Sequence, residues 1–114
     1  MAENLRALAI CAHDDDEVIG AGGTIRALAD RGVQVTTLVL ATGNEGYSRI
    51  EDRDTIVERR RRERIEAQKI LGTVSCIEGA HRDFENLDCE AVYHEIFRAV
   101  RSALCAPRNA ATAP

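Results

Sequence analysis

The chain has 114 residues, of which 45% are hydrophobic and 30% are charged, and its formal net charge is -4. This composition is typical of one soluble globular domain. An acidic balance excludes an electrostatic surface for nucleic acid, because the single basic run, residues 59–62, is offset by neighbouring glutamates. No stretch reaches the roughly 18 to 20 apolar residues that span a bilayer, so we expect no membrane span.

The N-terminus and the cysteines together predict a cytoplasmic location. The first residues lack a basic region followed by a hydrophobic stretch and a small-residue cleavage site, so we expect no export. The 4 cysteines show no CxxC spacing. In a chain that is not exported, they are expected to be reduced rather than bridged.

Three strand–helix pairs are predicted in chain order. Residues 5–12 are an apolar run typical of a strand buried on both faces, and apolar residues then recur at helical spacing up to Gly32. Residues 33–42 are rich in β-branched side chains and predict a second strand. The remaining elements are predicted as a loop over 43–54, a helix over 55–71, a strand over 73–79, a loop over 80–88 and a helix over 89–104.

This alternation predicts an α/β fold: a Rossmann-like parallel sheet of three βα units, with right-handed crossovers and helices on both faces. The pattern stops where a fourth strand would be expected, so residues 1–105 resemble the front part of a larger, truncated domain. Residues 106–114 are small, proline-containing and without periodicity, which predicts a disordered tail. A missing strand leaves an unpaired edge or an uncovered apolar face, so we expect a homo-oligomer or a partner chain.

One histidine and four consecutive carboxylates, residues 13–17, directly follow the first strand. In open α/β sheets, functional groups collect at the carboxyl ends of the strands. Helix capping and the helix dipole account for one or two of these acids. Four in a row repel one another, and imidazole with carboxylate is a normal pair of zinc ligands. The pattern by itself leaves both a helix cap and a zinc site open.

Three motifs resemble those of the LmbE-like zinc deacetylases, also called the PIG-L or N-acetylglucosaminyl de-N-acetylase family. AHDDDEVIGAGGTI is similar to the family signature AHPDDExxxGxGG, LADRGVQVTTLVLATGNEG to its helix end, second strand and loop, and RRERIEAQKILG to its RxxExxxAxxxLG helix. The resemblance implies a hydrolase that removes acetyl from an N-acetyl amino sugar conjugate, with zinc as cofactor. It implies His13 and Asp16 as zinc ligands, and Asp15 as the general base that deprotonates the metal-bound water.

Two features depart from the family pattern. The family's proline is Asp14 here, which removes a rigid φ angle and adds a charge expected to raise the pKa of Asp15 or Asp16. The family's third zinc ligand lies in a later histidine-containing motif, which has no counterpart in this sequence, and two ligands alone make a weak zinc site. A truncated, catalytically inactive domain with an interaction or structural role therefore remains the alternative to the hydrolase.

Two loops supply further candidates. His81 follows the third predicted strand and is the candidate for a substitute zinc ligand. His94, by contrast, is expected on the exposed surface of the third helix. Asn44 and Glu45, in the loop after the second strand, are candidates for lining the pocket.

The second predicted helix supplies a candidate for substrate binding. Arg60 falls on one helical face with Ile56 and Ile70, at the end nearest the predicted site. An arginine there is predicted to position the substrate. The alternative is an ion pair with Glu63 on a solvated turn of the helix.

Overall fold

The protein is described by a computed structural model that covers residues 5–105. Within this range, strands and α-helices alternate in the predicted order, and none of the helices is long and apolar enough to cross a membrane. The disordered tail predicted for residues 106–114 lies outside the described residues. The elements are β1 (Arg6–Cys11), α1 (Asp16–Asp30), β2 (Gln34–Ala41), α2 (Ile56–Leu71), β3 (Ser75–His81) and α3 (Cys89–Ala103), with a short 3-10 helix at Ile50–Asp52.

The three strands form one parallel sheet in the order β1-β2-β3, which confirms the predicted sheet. Thr37 of the central strand lies opposite Ala9 on one side and Cys76 on the other. A register irregularity near the end of β2 brings Ala41 opposite His81. β3 therefore continues past its predicted end at residue 79, and His81 is its last residue rather than part of a loop.

Helices cover both faces of the sheet, as predicted. The core between the sheet and α1 and α2 contains Ile25, Val35 and Leu71. On β3, the Glu78 side chain pairs with arginines of α2. The next residue, Gly79, faces α3, because a Cβ added to it would lie 2.8 Å from the Glu95 carboxylate of α3. Because successive strand residues point to opposite faces, α3 packs on the face away from α1 and α2.

The prediction that the first strand is buried on both faces is wrong. β1 pairs with β2 alone among the described strands, and its Ile10 is 46% exposed. β2 is central, and its five consecutive residues from Val35 to Val39 are buried. An apolar run indicates a strand but does not reveal which strand lies at the edge of the sheet.

The predicted inward face of the second helix is partly wrong. Ile56 and Leu71 are buried, but Ile70 is 75% exposed, while Arg64 and Gln68 are buried in its place. Burial of a charged side chain is tolerated where a partner of opposite charge is buried with it. Arg64 has one such partner, Asp14 in the turn before α1, whose side chain is 9% exposed, and a second, more exposed partner in Glu78 of β3.

Candidate functional site

Residues 13–16 form a tight turn between β1 and α1, which we call turn 13–16. Asp15 occupies the N-cap position with φ of 98°, a left-handed conformation that is uncommon for residues other than glycine. The N–H groups of Val18 and Ile19 both donate to its carbonyl oxygen at 2.9 Å. Its side chain makes no capping hydrogen bond. The turn thus holds Asp15 through its backbone and leaves its carboxylate available at the surface of the site.

Turn 13–16 lines a cavity of about 240 Å³ at the carboxyl end of the sheet. The loops after β2 and β3 and the first half of α2 form the remaining walls. This cavity brings together four residues predicted from the sequence, namely His13, Asp15, Asp16 and Arg60. The lining residues are His13, Asp14, Asp15, Asp16, Gly43, Gly46, Arg60 and Asp83.

Asp83 lies against His13 and was not predicted from the sequence. Its Oδ1 is 3.3 Å from His13 Nε2, a close contact without the geometry of a hydrogen bond. This oxygen is buried and accepts no hydrogen bond from any residue between 5 and 105. A buried carboxylate oxygen without a donor is unusual and is often found at functional sites. Its position just after the third predicted strand was the feature of the sequence that could have identified it. The candidate predicted from that region was His81.

The loop after β2 holds Asp83 in place. The Asp83 N–H donates to Asn44 Oδ1 at 2.7 Å, and the Glu45 N–H donates to Asp83 Oδ2 at 3.1 Å. Thr42 Oγ1 in turn donates to Asn44 Oδ1 at 3.0 Å. Asn44 and Glu45, predicted to line the pocket, are not among the residues that line this cavity, and instead they hydrogen-bond to Asp83, which does line it.

His13 and Asp16, predicted as zinc ligands, lie next to each other. The His13 N–H donates to Asp16 Oδ2 at 2.9 Å, which places the two residues side by side at the cavity. An imidazole nitrogen and a carboxylate oxygen suit zinc, but a catalytic zinc ion normally has three protein ligands. Within residues 5–105, no group of three or more His, Cys, Asp or Glu side chains is arranged to hold a metal ion. The donor types fit zinc, and the described residues leave the ligand set incomplete.

Asp14 does not act in this turn as a free negative charge. Its Oδ1 lies 2.6 Å from Nη1 of Arg64, and both side chains are buried. Burial lowers the pKa of Arg64, but hydrogen bonds and charge interaction with Asp14 and Glu78 more than offset it and raise the pKa. Arg64 is therefore a cation that opposes the Asp14 charge. The expectation that the Asp14 charge acts on Asp15 or Asp16 did not include Arg64, which is 50 residues away in the sequence.

Glu17 is the buried acid of the series, with 1% of its surface exposed. Gln68 Nε2 donates to Glu17 Oε1 at 3.3 Å, and Thr37 donates to Gln68 Oε1 at 3.2 Å. Burial raises the pKa of Glu17, and the negative charge of Asp14 adds to the shift. In the sequence, Glu17 is one of four consecutive acids, and the pattern of acids does not distinguish it from the other three. Its helical spacing from Ile25 on the inward stripe of α1 was the signal that could have identified it.

The other predicted residues occupy separate positions. His81 Nε2 lies 2.5 Å from Glu95 Oε2, and both line a groove between β3 and α3 rather than the cavity at turn 13–16. His94 is exposed on α3, as predicted. Arg60 lines the cavity, and its Nη1 lies 3.5 Å from Glu63 Oε2. The ion pair with Glu63 is therefore present, and a role of Arg60 in substrate binding stays a prediction.

The sequence and the fold are similar to those of known proteins. The family model described as GlcNAc-PI de-N-acetylase (PIG-L) matches residues 8–108. The uncharacterized deacetylase YaiS of Escherichia coli is 31% identical over 97 residues, which cover 85% of this chain and 47% of that protein.

Two solved structures share the fold. The N,N'-diacetylchitobiose deacetylase from Pyrococcus horikoshii matches with a TM-score of 0.81 and 31% identity, over 85% of this chain and 37% of that one. GalB, the 4-carboxy-2-hydroxymuconate hydratase from Pseudomonas putida, matches with a TM-score of 0.66 and 26% identity, over 85% and 44% of the two chains. The chain thus spans less than half the length of each of these three proteins.

Proposed function

The chain belongs to the PIG-L family of GlcNAc-PI de-N-acetylases, and we propose that it carries the first part of a zinc-dependent site that removes acetyl from an N-acetyl amino sugar conjugate. One observation carries the proposal: His13, Asp15 and Asp16 of the signature line a single cavity. The similarity to a diacetylchitobiose deacetylase supports the class of substrate. A cytoplasmic location remains a prediction from the sequence.

The roles follow from where each side chain lies. His13 and Asp16 would hold the zinc ion, which when bound acts as a Lewis acid that lowers the pKa of water and polarises the acetamide carbonyl. Asp15 accepts a proton from the attacking water, because its carboxylate is not used as a helix cap. The water oxygen bonds to the acetyl carbon, the C–N bond breaks, the leaving amine takes up the proton that Asp15 accepted, and acetate and a free amine leave.

Arg60 is proposed to position the substrate. Arg60 lines the cavity together with turn 13–16, and its side chain lies beside Gly43 and Gly46 of the loop after β2. Because its contact with Glu63 is long, at 3.5 Å, most of its five N–H donors stay available for sugar hydroxyl or carbonyl oxygens.

The third zinc ligand is proposed to come from outside residues 5–105. His81 was the candidate within the chain, but its imidazole is paired with Glu95 on the α3 face of the sheet. The greater length of the relatives supports a ligand from a further segment or a partner chain.

Zinc binding tests the proposal directly. The chain is purified without added metal, its zinc content is measured by mass spectrometry, and its affinity is measured by competition with a fluorescent chelator. We expect weak zinc binding that Asp16→Ala abolishes, and low release of acetate from N-acetylglucosamine derivatives. Turnover that does not depend on metal would contradict the proposal. If the chain shows no zinc binding and releases no acetate, the result would support the alternative, an inactive domain with an interaction or structural role.

A further inference from the structure

Arg64 connects the site to two secondary-structure elements. Its Nη1 lies 2.6 Å from Asp14 Oδ1 and its Nη2 lies 2.7 Å from Glu78 Oε1 of β3. Its side chain is only 7% exposed and that of Asp14 only 9%. Since Asp14 stands between His13 and Asp15, this arginine ties turn 13–16 to both α2 and β3.

We propose that Arg64 is a positioning residue: by holding Asp14, it keeps turn 13–16 in the conformation that presents Asp15 and the two proposed zinc ligands to the cavity. The inference rests on the proposed function and adds to it a residue that does not touch the metal or the substrate. A left-handed residue such as Asp15 persists only where its surroundings hold it. Arg64 is the one ion-pair partner of Asp14 among residues 5–105, because the other carboxylate oxygen of Asp14 is buried without a partner.

The ion pair takes the place of a proline. The family signature has proline at the position of Asp14, and proline restrains this point of the backbone by fixing φ near −65°. The backbone N–H of Asp14 makes no hydrogen bond to any of residues 5–105, so proline would remove no hydrogen bond here. A proline at position 14 should therefore make Arg64 dispensable, whereas an ordinary structural arginine would stay necessary.

Arg61 provides a matched control. It lies one turn earlier on α2, and its Nε is 3.1 Å from the same Glu78 carboxylate. Among the described residues, Arg61 makes no hydrogen bond or ion pair to turn 13–16. Replacing Arg61 removes a similar ion pair to β3 and leaves the connection to Asp14 intact.

Two readouts on the full 114-residue chain test the inference. The first is zinc affinity by chelator competition, and the second is amide hydrogen exchange without metal, followed at His13, Val18 and Ile19. Those three N–H groups make the hydrogen bonds that define the turn. The variants are Arg64→Met, Arg61→Met, and Arg64→Met combined with Asp14→Pro, each checked for folding by circular dichroism.

We expect Arg64→Met to speed exchange at the three amides and to weaken zinc binding about tenfold or more, as loss of a supporting residue around a metal ligand does. Arg61→Met should change neither readout more than about twofold. Adding Asp14→Pro to Arg64→Met should restore both, because it removes the Asp14 carboxylate that Arg64→Met alone leaves without its ion-pair partner. Equal effects of Arg64→Met and Arg61→Met, or unchanged exchange in Arg64→Met, would overturn the inference.

If the parent binds no zinc, the proposed function fails, and the exchange data still decide whether Arg64 holds the turn. If Arg64→Met does not fold, the double variant decides. The inference is overturned if adding Asp14→Pro does not restore the exchange pattern of the parent.

Discussion

His13 and Asp83 face each other across the central strand, with His13 Nε2 3.3 Å from Asp83 Oδ1. His13 follows β1 and Asp83 follows β3, and these two strands lie on opposite sides of β2. A carboxylate beside one ring nitrogen orients a histidine and leaves the other nitrogen for a metal. The contact has no hydrogen-bond geometry in this structure, so an effect of Asp83 on the proposed zinc site is a prediction, and it does not require Asp83 to be a ligand.

The first prediction concerns this contact. Asp83→Asn should weaken zinc binding about tenfold, because an amide orients and polarises the imidazole less well than a carboxylate does. Chelator competition at neutral pH measures the change. Glu85→Gln is the matched control, since Glu85 lies in the same loop and pairs with the exposed Arg82. Equal zinc affinity in the Asp83 variant and the parent would show that the contact has no part in metal binding.

The second prediction separates the general base from the zinc ligands. Asp15→Asn should keep zinc, because His13 and Asp16 remain, and should lower acetate release about 10²- to 10⁴-fold, the usual contribution of a general base. Asp16→Ala should lose zinc itself. Zinc content and acetate release from N-acetylglucosamine derivatives are measured on the same samples at saturating zinc. Full activity in Asp15→Asn would remove Asp15 from the mechanism.

The third prediction concerns pH and the buried Glu17. Its pKa in the folded protein is raised above the ordinary value of 4.5, chiefly by burial, so the folded state binds more protons than the unfolded state above about that pH. The stability contributed by Glu17 is therefore fully present below pH 4.5 and is lost as the pH rises through the raised pKa. Glu17→Gln removes this dependence and keeps an acceptor for Gln68.

Urea unfolding of the parent and of Glu17→Gln at several pH values from 4 to 8 measures this effect. The variant should gain stability relative to the parent as the pH rises, and the two should converge at the acid end. Glu63→Gln, on the exposed surface of α2, serves as the control and should show no such trend. If the stability difference between the parent and Glu17→Gln is constant across this pH range, the pKa of Glu17 is not raised in the folded protein.

Local patterns in the sequence predicted most of the fold. Each strand and helix depends on the spacing of its own apolar residues, so their order and approximate bounds could be derived without knowledge of tertiary contacts. The rule that functional groups lie at the carboxyl ends of parallel strands predicted that His13, Asp15 and Asp16 belong to one site. The structure brings these three residues to the same cavity.

The features that were missed depend on pairs of residues far apart in the chain. Arg64 is a surface residue by its type, and its burial follows from Asp14 and Glu78 lying on either side of it. Ile70 is a core residue by its type, yet it is 75% exposed, while Gln68 and Leu71 of the same helix turn are buried. Local ranking of residue types cannot recover such pairs, since their energies arise only after the elements have packed.

The last prediction concerns association. Ile10 on β1, which pairs only with β2 among the described strands, is exposed. Two aromatic residues of α3, Tyr93 and Phe97, stacked 6.3 Å apart, are also exposed. Exposed apolar groups and unpaired strand edges promote association, so light scattering should give a mass above the 12.5 kDa of one chain at high micromolar concentration. Phe97→Ser should lower this mass, whereas Ile70→Ser, on the exposed face of α2, should not. A stable monomer at that concentration would contradict the prediction, and an equal effect of the two variants would exclude α3 as the contact surface.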